Sequence, residues 1–369
     1  MTSSTPMRAA KPRMPNGHGV PAPGAKLRPI AYVMEQTLGN TTHYLNIRAA
    51  QALDPVPPRW LPIEFQSSVV PWTVNGGWRA RRAIAPVLDE VDGVFIHTMT
   101  LALGSLDLFG KKPFVVSSDA TPIAKRHMRE AYGLRPQLAL SERVKRALYC
   151  QMFDRSAGFV AWSSWAKESL VRDYGCRDED VAVISPGVDV GSFAPGAREH
   201  ALPRILFVGG DFVRKGGDVL LEVFRKHLRG RAELILVTRD RVSEEPGVRV
   251  RNDLNANAAE LRELFATSDV FALPTRADCY ALVCMEALAS GLPVVTTRVG
   301  GLRDMVVEGE TGHVIDVDDA RALAESLVSI ALDAGKRTQM ARAAREHALQ
   351  RFDARVNARQ LFEFVRSRC

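Results

Sequence analysis

Few features of this 369-residue chain point to metal, disulfide or membrane chemistry. It has five cysteines, Cys150, Cys176, Cys279, Cys284 and Cys369, with no CxxC pair and no even framework. That argues against a disulfide scaffold and a zinc site, and favours free thiols in a reducing cytoplasm. No apolar run reaches 18 residues, so no membrane-spanning segment is expected. The first 27 residues are rich in Pro, Gly, Ser and Ala and lack both acids and an apolar h-region. They read as a disordered basic tail and not as a signal peptide. Residues 1–28 also explain most of the net charge of +7, because Arg8, Lys11, Arg13, Lys26 and Arg28 occur before any acid. The remainder is close to balanced, which leaves no electrostatic footprint for nucleic acid.

What is present is an alternation of short apolar runs with amphipathic stretches. Ile30 to Met34, Gly93 to Ile96, Phe114 to Val116, Gly158 to Trp162 and Val181 to Ile184 read as strands, with helical stretches at Thr42 to Leu53 and Ser141 to Phe153. Such alternation predicts βαβ units and a parallel sheet. Pro186, Gly187, Gly191, Pro195, Gly196 and Pro203 then suggest a linker over 186–203. The pattern restarts at Arg204 to Val208, continues through a helix near Asp218 to His227 and the strand Glu233 to Val237, and runs to about residue 350. The expected organisation is an α/β protein with a first domain over 28–185, a second over 204–350, and a terminal helix over 351–369 packing back on the first. Two doubly wound domains joined in this way leave a cleft suited to a ligand.

The most informative stretch runs from Asp278 to Glu286, with Val270 to Leu273 and Pro274 before it and Gly291, Pro293 and Val294 to Thr296 after it. It reads strand, loop, helix, strand, with two acids astride the helix start. Such a loop lies at the carboxyl edge of a parallel sheet, where free helix N–H groups can meet a phosphate. Glu286 is suited to a ribose diol and Asp278 to groups nearer the phosphates; alternatively they serve as a helix-dipole stabiliser and a cap. A second loop, Gly209-Gly210-Asp211-Phe212-Val213-Arg214-Lys215-Gly216-Gly217, places two cations before a helix amino terminus. They oppose the helix dipole unless an anion joins them, and a diphosphate would serve. The competing reading is a solvated surface turn.

On these residues the chain resembles the retaining glycosyltransferases of family four, glycosyl transferases group 1. The match is most specific over 204 to 313, where it includes Gly300-Gly301 with Asp304 and the segment Gly309 through Gly312. Val183-Ile184-Ser185-Pro186-Gly187-Val188-Asp189 also resembles the family's approach to its linker. The resemblance implies a GT-B fold of two facing Rossmann-like domains with an interdomain cleft. It implies transfer with retention from a nucleoside-diphosphate sugar, with no metal or other cofactor. Donor-binding residues would be Gly209, Gly210, Arg214, Lys215 and Glu286, with the backbone N–H groups of Tyr280, Ala281 and Leu282 facing phosphate. Asp278 would hold the donor sugar. Three positions depart from the family: Asp278 stands where Glu is usual, Ala281 where glycine is usual, and Gly210 where an arginine is common, which leaves Arg214 as the expected substitute.

The acceptor half resembles the family less closely. Met34 to His43 is similar to its glycine-rich first loop, with Gly39, Asn40 and His43 as candidate acceptor-side residues. His97, at a strand end, is a candidate catalytic residue or a packed, hydrogen-bonded one. Asp119 stands where the family carries a functional histidine, and is a catalytic candidate unless it serves the turn at Thr121-Pro122. Asp316-Val317-Asp318 spells DxD but reads as a solvated turn. The acceptor would be a glycan, a lipid-linked glycan or a small molecule. Basic clusters at Lys125 to Arg129, Arg143 to Arg146 and Arg79, Arg81 and Arg82 would let a cytoplasmic protein lie peripherally on the anionic inner face of the cell membrane, or are solvated helix faces. A catalytically impaired nucleotide-sugar-binding protein and a GT-B epimerase are the alternative functions.

Overall fold

The apolar runs become the strands of two six-stranded, all-parallel sheets in a computed structural model that describes residues 26–37, 39–66, 69–133, 139–255 and 258–369. Nearly all of the expected basic tail therefore lies outside the described residues. The first sheet comprises β1 (Ile30–Gln36), β2 (Arg59–Glu64), β3 (Gly93–His97), β4 (Phe114–Ser118), β5 (Gly158–Ala161) and β6 (Val181–Val183), in the order β2-β1-β3-β4-β5-β6. Its crossovers carry α1 (Gly39–Ala49), α2 (Trp72–Ile84), α3 (Met99–Leu103), α4 (Ala139–Arg155) and α5 (Ser164–Tyr174).

The second sheet comprises β7 (Arg204–Val208), β8 (Glu233–Val237), β9 (Val248–Arg251), β10 (Val270–Leu273), β11 (Val294–Thr297) and β12 (Gly312–Ile315), in the order β12-β11-β10-β7-β8-β9. With it go α6 (Gly217–His227), α7 (Ala259–Thr267), α8 (Leu282–Ala289), α9 (Ala320–Ala331) and α10 (Ala334–Arg351). A final helix, α11 (Ala354–Arg368), belongs to the first unit.

The chain divides into two units. One holds residues up to 124, 136–185 and 355–369; the other holds 125–135 and 186–354. Residues 125–133 group with the second unit in this division.

Both faces of the first sheet are covered, which is why its strands read as continuous apolar runs. Side-chain alternation sends Ala31, Val33, Val94, Ile96, Phe114 and Val116 to one core. It sends Ile30, Tyr32, Met34, Phe95, Val115 and Val160 to the other, where α11 supplies Ala358, Leu361, Phe362 and Val365. Phe362 meets Tyr32 edge-on at 5.6 Å.

Helix ends follow local chemistry. Ser163 caps α5 by accepting from the Ala166 N–H, and Asp333 caps α10 through the Lys336 N–H. Left-handed Gly175 stops α5.

α11 is also held by charge. Arg366 donates through Nε and Nη2 to Asp54 Oδ1 at 3.0 and 2.7 Å, and the Asp54 side chain has no exposed surface. Removing the guanidinium alone would leave a buried carboxylate uncompensated, a cost of about 3 to 5 kcal/mol. Arg366→Met should therefore lower the thermal midpoint sharply, and Arg366→Met with Asp54→Leu should recover most of the loss. If the double variant were no more stable than the single one, the pair would not be what anchors α11.

Candidate functional site

In the second sheet the chain runs from β7 through β8 to β9 on one side, then returns to place β10 on the other side of β7. Loops leaving β7 and β10 therefore depart in opposite directions from adjacent strands, and the opening between them is the topological switch point of the sheet. Those two loops are the glycine-rich segment 209–216 and the acid-bearing segment 274–281.

The loops are bound to each other through their backbones. The Arg276 N–H donates to the Arg214 carbonyl at 2.9 Å. Gly216 has φ +76, and a Cβ there would come within 2.0 Å of the Pro274 carbonyl oxygen, so only glycine fits this crossing. A second crossing fixes the far side of the acid loop. Gly300 has φ +57, a Cβ on it would lie 2.2 Å from the Asp278 carbonyl oxygen, and the Gly301 N–H donates to the Cys279 carbonyl at 2.9 Å.

Within this frame Lys215 and Asp278 form an ion pair between largely buried side chains. Arg214 is held on three sides. It pairs with Asp211 at 3.0 Å, donates to the Ala277 carbonyl at 2.8 Å, and lies over the Tyr132 ring at 4.9 Å. Gly209 donates its N–H to the Val237 carbonyl and so continues the ladder.

Tyr280, expected to turn its N–H toward phosphate, instead donates it to Asp278 Oδ1 at 3.2 Å. Ala281 is the N-cap residue of α8 with φ −83, a conformation alanine adopts without strain. The N–H groups of Ala281 and Leu282 have no acceptor among the described residues. Glu286 is 9% exposed in the second turn of α8, and its carboxylate has no hydrogen-bond or ion-pair partner among the described residues. Burial pushes that carboxyl up to about 7.

The first sheet has its own switch point, between β1 and β3, and a polar network lies there. Buried Glu35 accepts from Thr37 Oγ1 at 2.9 Å, Trp72 Nε1 at 3.0 Å and Thr98 Oγ1 at 2.6 Å. Asn40 donates to Thr37 Oγ1 and meets His97 Nε2 at 3.1 Å through Oδ1.

His97 has no exposed surface, stacks on Trp162 at 4.9 Å and contacts Ser117 Oγ at 3.3 Å through Nδ1. Both ring nitrogens are engaged within the protein, one of them with Asn40, an arrangement that fits the packed, hydrogen-bonded alternative. His43 is buried against His97 and Trp162, and burial, then His97, hold its ring well below the usual histidine range. Gly39 is exposed at the start of α1.

Asp119 is half-buried at the end of β4. The turn that follows is capped by Thr121, whose Oγ1 accepts from the Ala124 N–H at 3.1 Å. Asp318 pairs with Arg276 and Asp316 with Arg298, both acids on the surface, which commits the DxD carboxylates to arginines. Among the described residues no three His, Cys, Asp or Glu side chains gather as a ligand set.

The structure thus brings together Gly209, Gly210, Arg214, Lys215, Asp278, Tyr280, Ala281, Leu282 and Glu286 in the second unit, and Gly39, Asn40, His43 and His97 in the first, with Asp119 after the neighbouring strand β4. Nothing in the sequence around Tyr132 marks it as a partner of Arg214, because the two are distant in the chain. Glu35 did carry a signal, as an acid closing an apolar strand.

The family model described as Glycosyl transferases group 1 matches residues 202–333, and that described as Glycosyltransferase Family 4 matches residues 44–192. D-inositol 3-phosphate glycosyltransferase of Xylanimonas cellulosilytica is 31% identical over 231 residues, covering 53% of this chain and 53% of that protein. The Corynebacterium diphtheriae protein of the same name is 32% identical over 234 residues, covering 54% and 53%. The chain spans about half the length of the curated relatives it matches. Sucrose-phosphate synthase of Thermosynechococcus elongatus superposes with TM-score 0.71 at 17% identity, covering 92% of this chain and 98% of that one. Anabaena HepE, solved with UDP and glucose, superposes with TM-score 0.70 at 17% identity, covering 92% and 100%. These likenesses show the fold class, GT-B.

Glu286 gives a pH-dependent prediction. A carboxyl raised from 4.5 to about 7 on folding costs stability as pH rises above 4.5, and the full cost is present above the folded value. Glu286→Gln should therefore raise the thermal midpoint more at pH 8 than at pH 5, by a difference on the order of 2 to 3 kcal/mol in unfolding free energy. An equal shift at both pH values would show that burial does not act on this carboxyl.

Proposed function

The chain belongs to the family-four, group 1 glycosyltransferases, and from that premise we propose that it transfers a sugar from a nucleoside-diphosphate sugar to an acceptor hydroxyl, with retention and without a metal ion. The observation that carries this reading is the meeting of Lys215 and Asp278 at the switch point, in the loop that leads into the helix bearing the unpartnered carboxylate of Glu286.

Each group matches one part of such a donor. The Glu286 carboxylate accepts from the ribose diol, whose hydroxyls would supply the hydrogen bonds this buried group lacks within the protein. Lys215 and the N–H groups of Ala281 and Leu282 face the diphosphate. Asp278 takes hydroxyls of the transferred sugar, and its reach is one methylene shorter than that of the glutamate usual in the family.

In the reaction the bond between the anomeric carbon and the diphosphate oxygen breaks, and its electron pair stays on the diphosphate. The acceptor oxygen forms the new bond on the same face, and its proton passes to the departing diphosphate. Preorganised cations and helix N–H groups stabilise the negative charge that develops. Asp278 offsets positive charge on the sugar. Asp119, half-buried just after β4, is the acceptor-side group proposed to assist.

The direct test is turnover of a panel of nucleoside-diphosphate sugars, with UDP-glucose first because a structural neighbour was solved with it. Wild-type protein should release nucleoside diphosphate, and Asp278→Asn should lower kcat by about 100-fold or more. Donor binding with no turnover under any acceptor would instead favour a nucleotide-sugar-binding protein, and an epimerised free donor would favour an epimerase.

Helix α2 bears on the acceptor. Val74 and Trp78 are 60% and 54% exposed, and the Arg82 guanidinium lies 4.7 Å over the Trp78 ring. Arg81 is withdrawn into a pair with Asp107. An apolar and cationic face of this kind supports an acceptor carried on an anionic lipid surface. The protein should then sediment with anionic liposomes at low salt, and Trp78→Glu should abolish most of that binding. Equal recovery of both proteins in the supernatant would remove lipid-linked acceptors from consideration.

A further inference from the structure

Resting on the donor reading above, we propose that Arg239 is a phosphate-binding residue of this site, occupying the space left by the missing side chain at Gly210.

Parallel pairing of β7 with β8 sets Val208 against Val237, and the Gly209 N–H then donates to the Val237 carbonyl at 2.9 Å. The turn after β8 is thereby brought beside the glycine-rich loop after β7. A Cβ built on Gly210 would come within 2.7 Å of Arg239 Nε and 2.9 Å of Nη2. The guanidinium of Arg239 therefore covers the face of Gly210 where a side chain would stand.

The other cations of these loops are committed. Arg214 is bound to Asp211, the Ala277 carbonyl and the Tyr132 ring. Arg276 is bound to Asp218 at 2.8 Å and to Asp318 at 2.8 Å. Lys215 is bound to Asp278. Arg239 is exposed and makes no hydrogen bond or ion pair among the described residues.

Its mount, by contrast, is rigid. Asp240 Oδ2 accepts from the Phe212 N–H at 2.6 Å, and Asn252 Nδ2 donates to the carbonyls of Thr238 and Asp240 at 3.1 and 2.6 Å. Asp240, the nearest acid in sequence, is thus turned to the loop backbone. An uncommitted guanidinium on a fixed turn beside the glycine-rich loop presents a planar fork that matches two phosphate oxygens.

This reassigns the expected substitution. Arg214 does not stand in for the arginine that is missing at position 210, because its guanidinium braces the acid loop. The cation comes instead from the neighbouring strand, and glycine at 210 makes room for it.

The test is isothermal titration of UDP, GDP and their nucleosides into wild-type protein, Arg239→Ala, Arg239→Lys and the double variant Arg239→Ala with Gly210→Arg. Arg239→Ala should weaken binding of whichever diphosphate the wild type prefers by about tenfold or more, while leaving nucleoside affinity and the thermal midpoint unchanged. Arg239→Lys should recover part of the loss, and Gly210→Arg should recover most of it from the opposite side of the same space. Arg239→Ala binding the diphosphate as the wild type does would overturn the assignment and leave the donor reading intact. A wild type that binds neither diphosphate would overturn both.

Discussion

Everything in the second unit depends on one topological constraint, the reversal of strand order at β7. A parallel sheet covered on both faces has no polar surface to offer except at its ends, so charged chemistry is confined to the loops at the carboxyl edge. At β7 and β10 those loops diverge, and the opening must be held without side chains at the tightest points. Gly216 against Pro274 and Gly300 against Asp278 are those points. Because the backbones touch there, the ion pair of Lys215 with Asp278 is placed by main-chain geometry and does not rely on two long side chains finding one another. A largely buried pair gains little net stability, since desolvation offsets most of the attraction. It is suited to exchange: a phosphate can replace the carboxylate beside Lys215 while sugar hydroxyls replace the ammonium beside Asp278, and neither charge is left bare.

The same constraint governs the first unit with different chemistry. At its switch point the groups are Glu35, Thr37, Asn40, Thr98 and His97, and hydrogen bonds among them leave one acid and no committed cation. Such a network can orient hydroxyl groups but offers nothing to a diphosphate. The contrast between the two edges supports donor binding by the second unit and acceptor binding by the first.

Much of the strand pattern was legible, because strands buried on both faces show as plain apolar runs. Arg204–Val208, Glu233–Val237 and Val270–Leu273 begin and end where glycine, proline or charge interrupts the run. The strands that were missed lie at sheet edges. β2 reads Arg-Trp-Leu-Pro-Ile-Glu and β9 reads Val-Arg-Val-Arg, alternating because each is only partly covered. β12 was hidden behind its own glycine, since Gly312 opens the strand with φ +152. In the site, the acids and cations were visible as residue types at loop positions. Their partners were not, because Arg214 meets Tyr132 and Gly210 meets Arg239 only through the fold. Sequence spacing orders residues along one loop; it does not say which loop comes to rest against it.

That difference separates two kinds of polar residue in the second unit. Arg214, Arg276 and Asp240 fix the loops, and each is saturated by partners inside the protein. Glu286 and Arg239 are not saturated, and each sits on a rigid element: one on α8, the other on a turn held by Asp240 and Asn252. A buried carboxylate without a partner costs stability, whereas an exposed guanidinium outside any ion pair costs little and stays available to a ligand. A fold that keeps an unpartnered buried acid and an uncommitted cation at one sheet edge has polar groups set for something other than itself. On the donor reading proposed above, Glu286 would take the nucleoside, Lys215 and Arg239 the phosphates, and Asp278 the sugar, all from loops and a helix that follow the strands of one sheet.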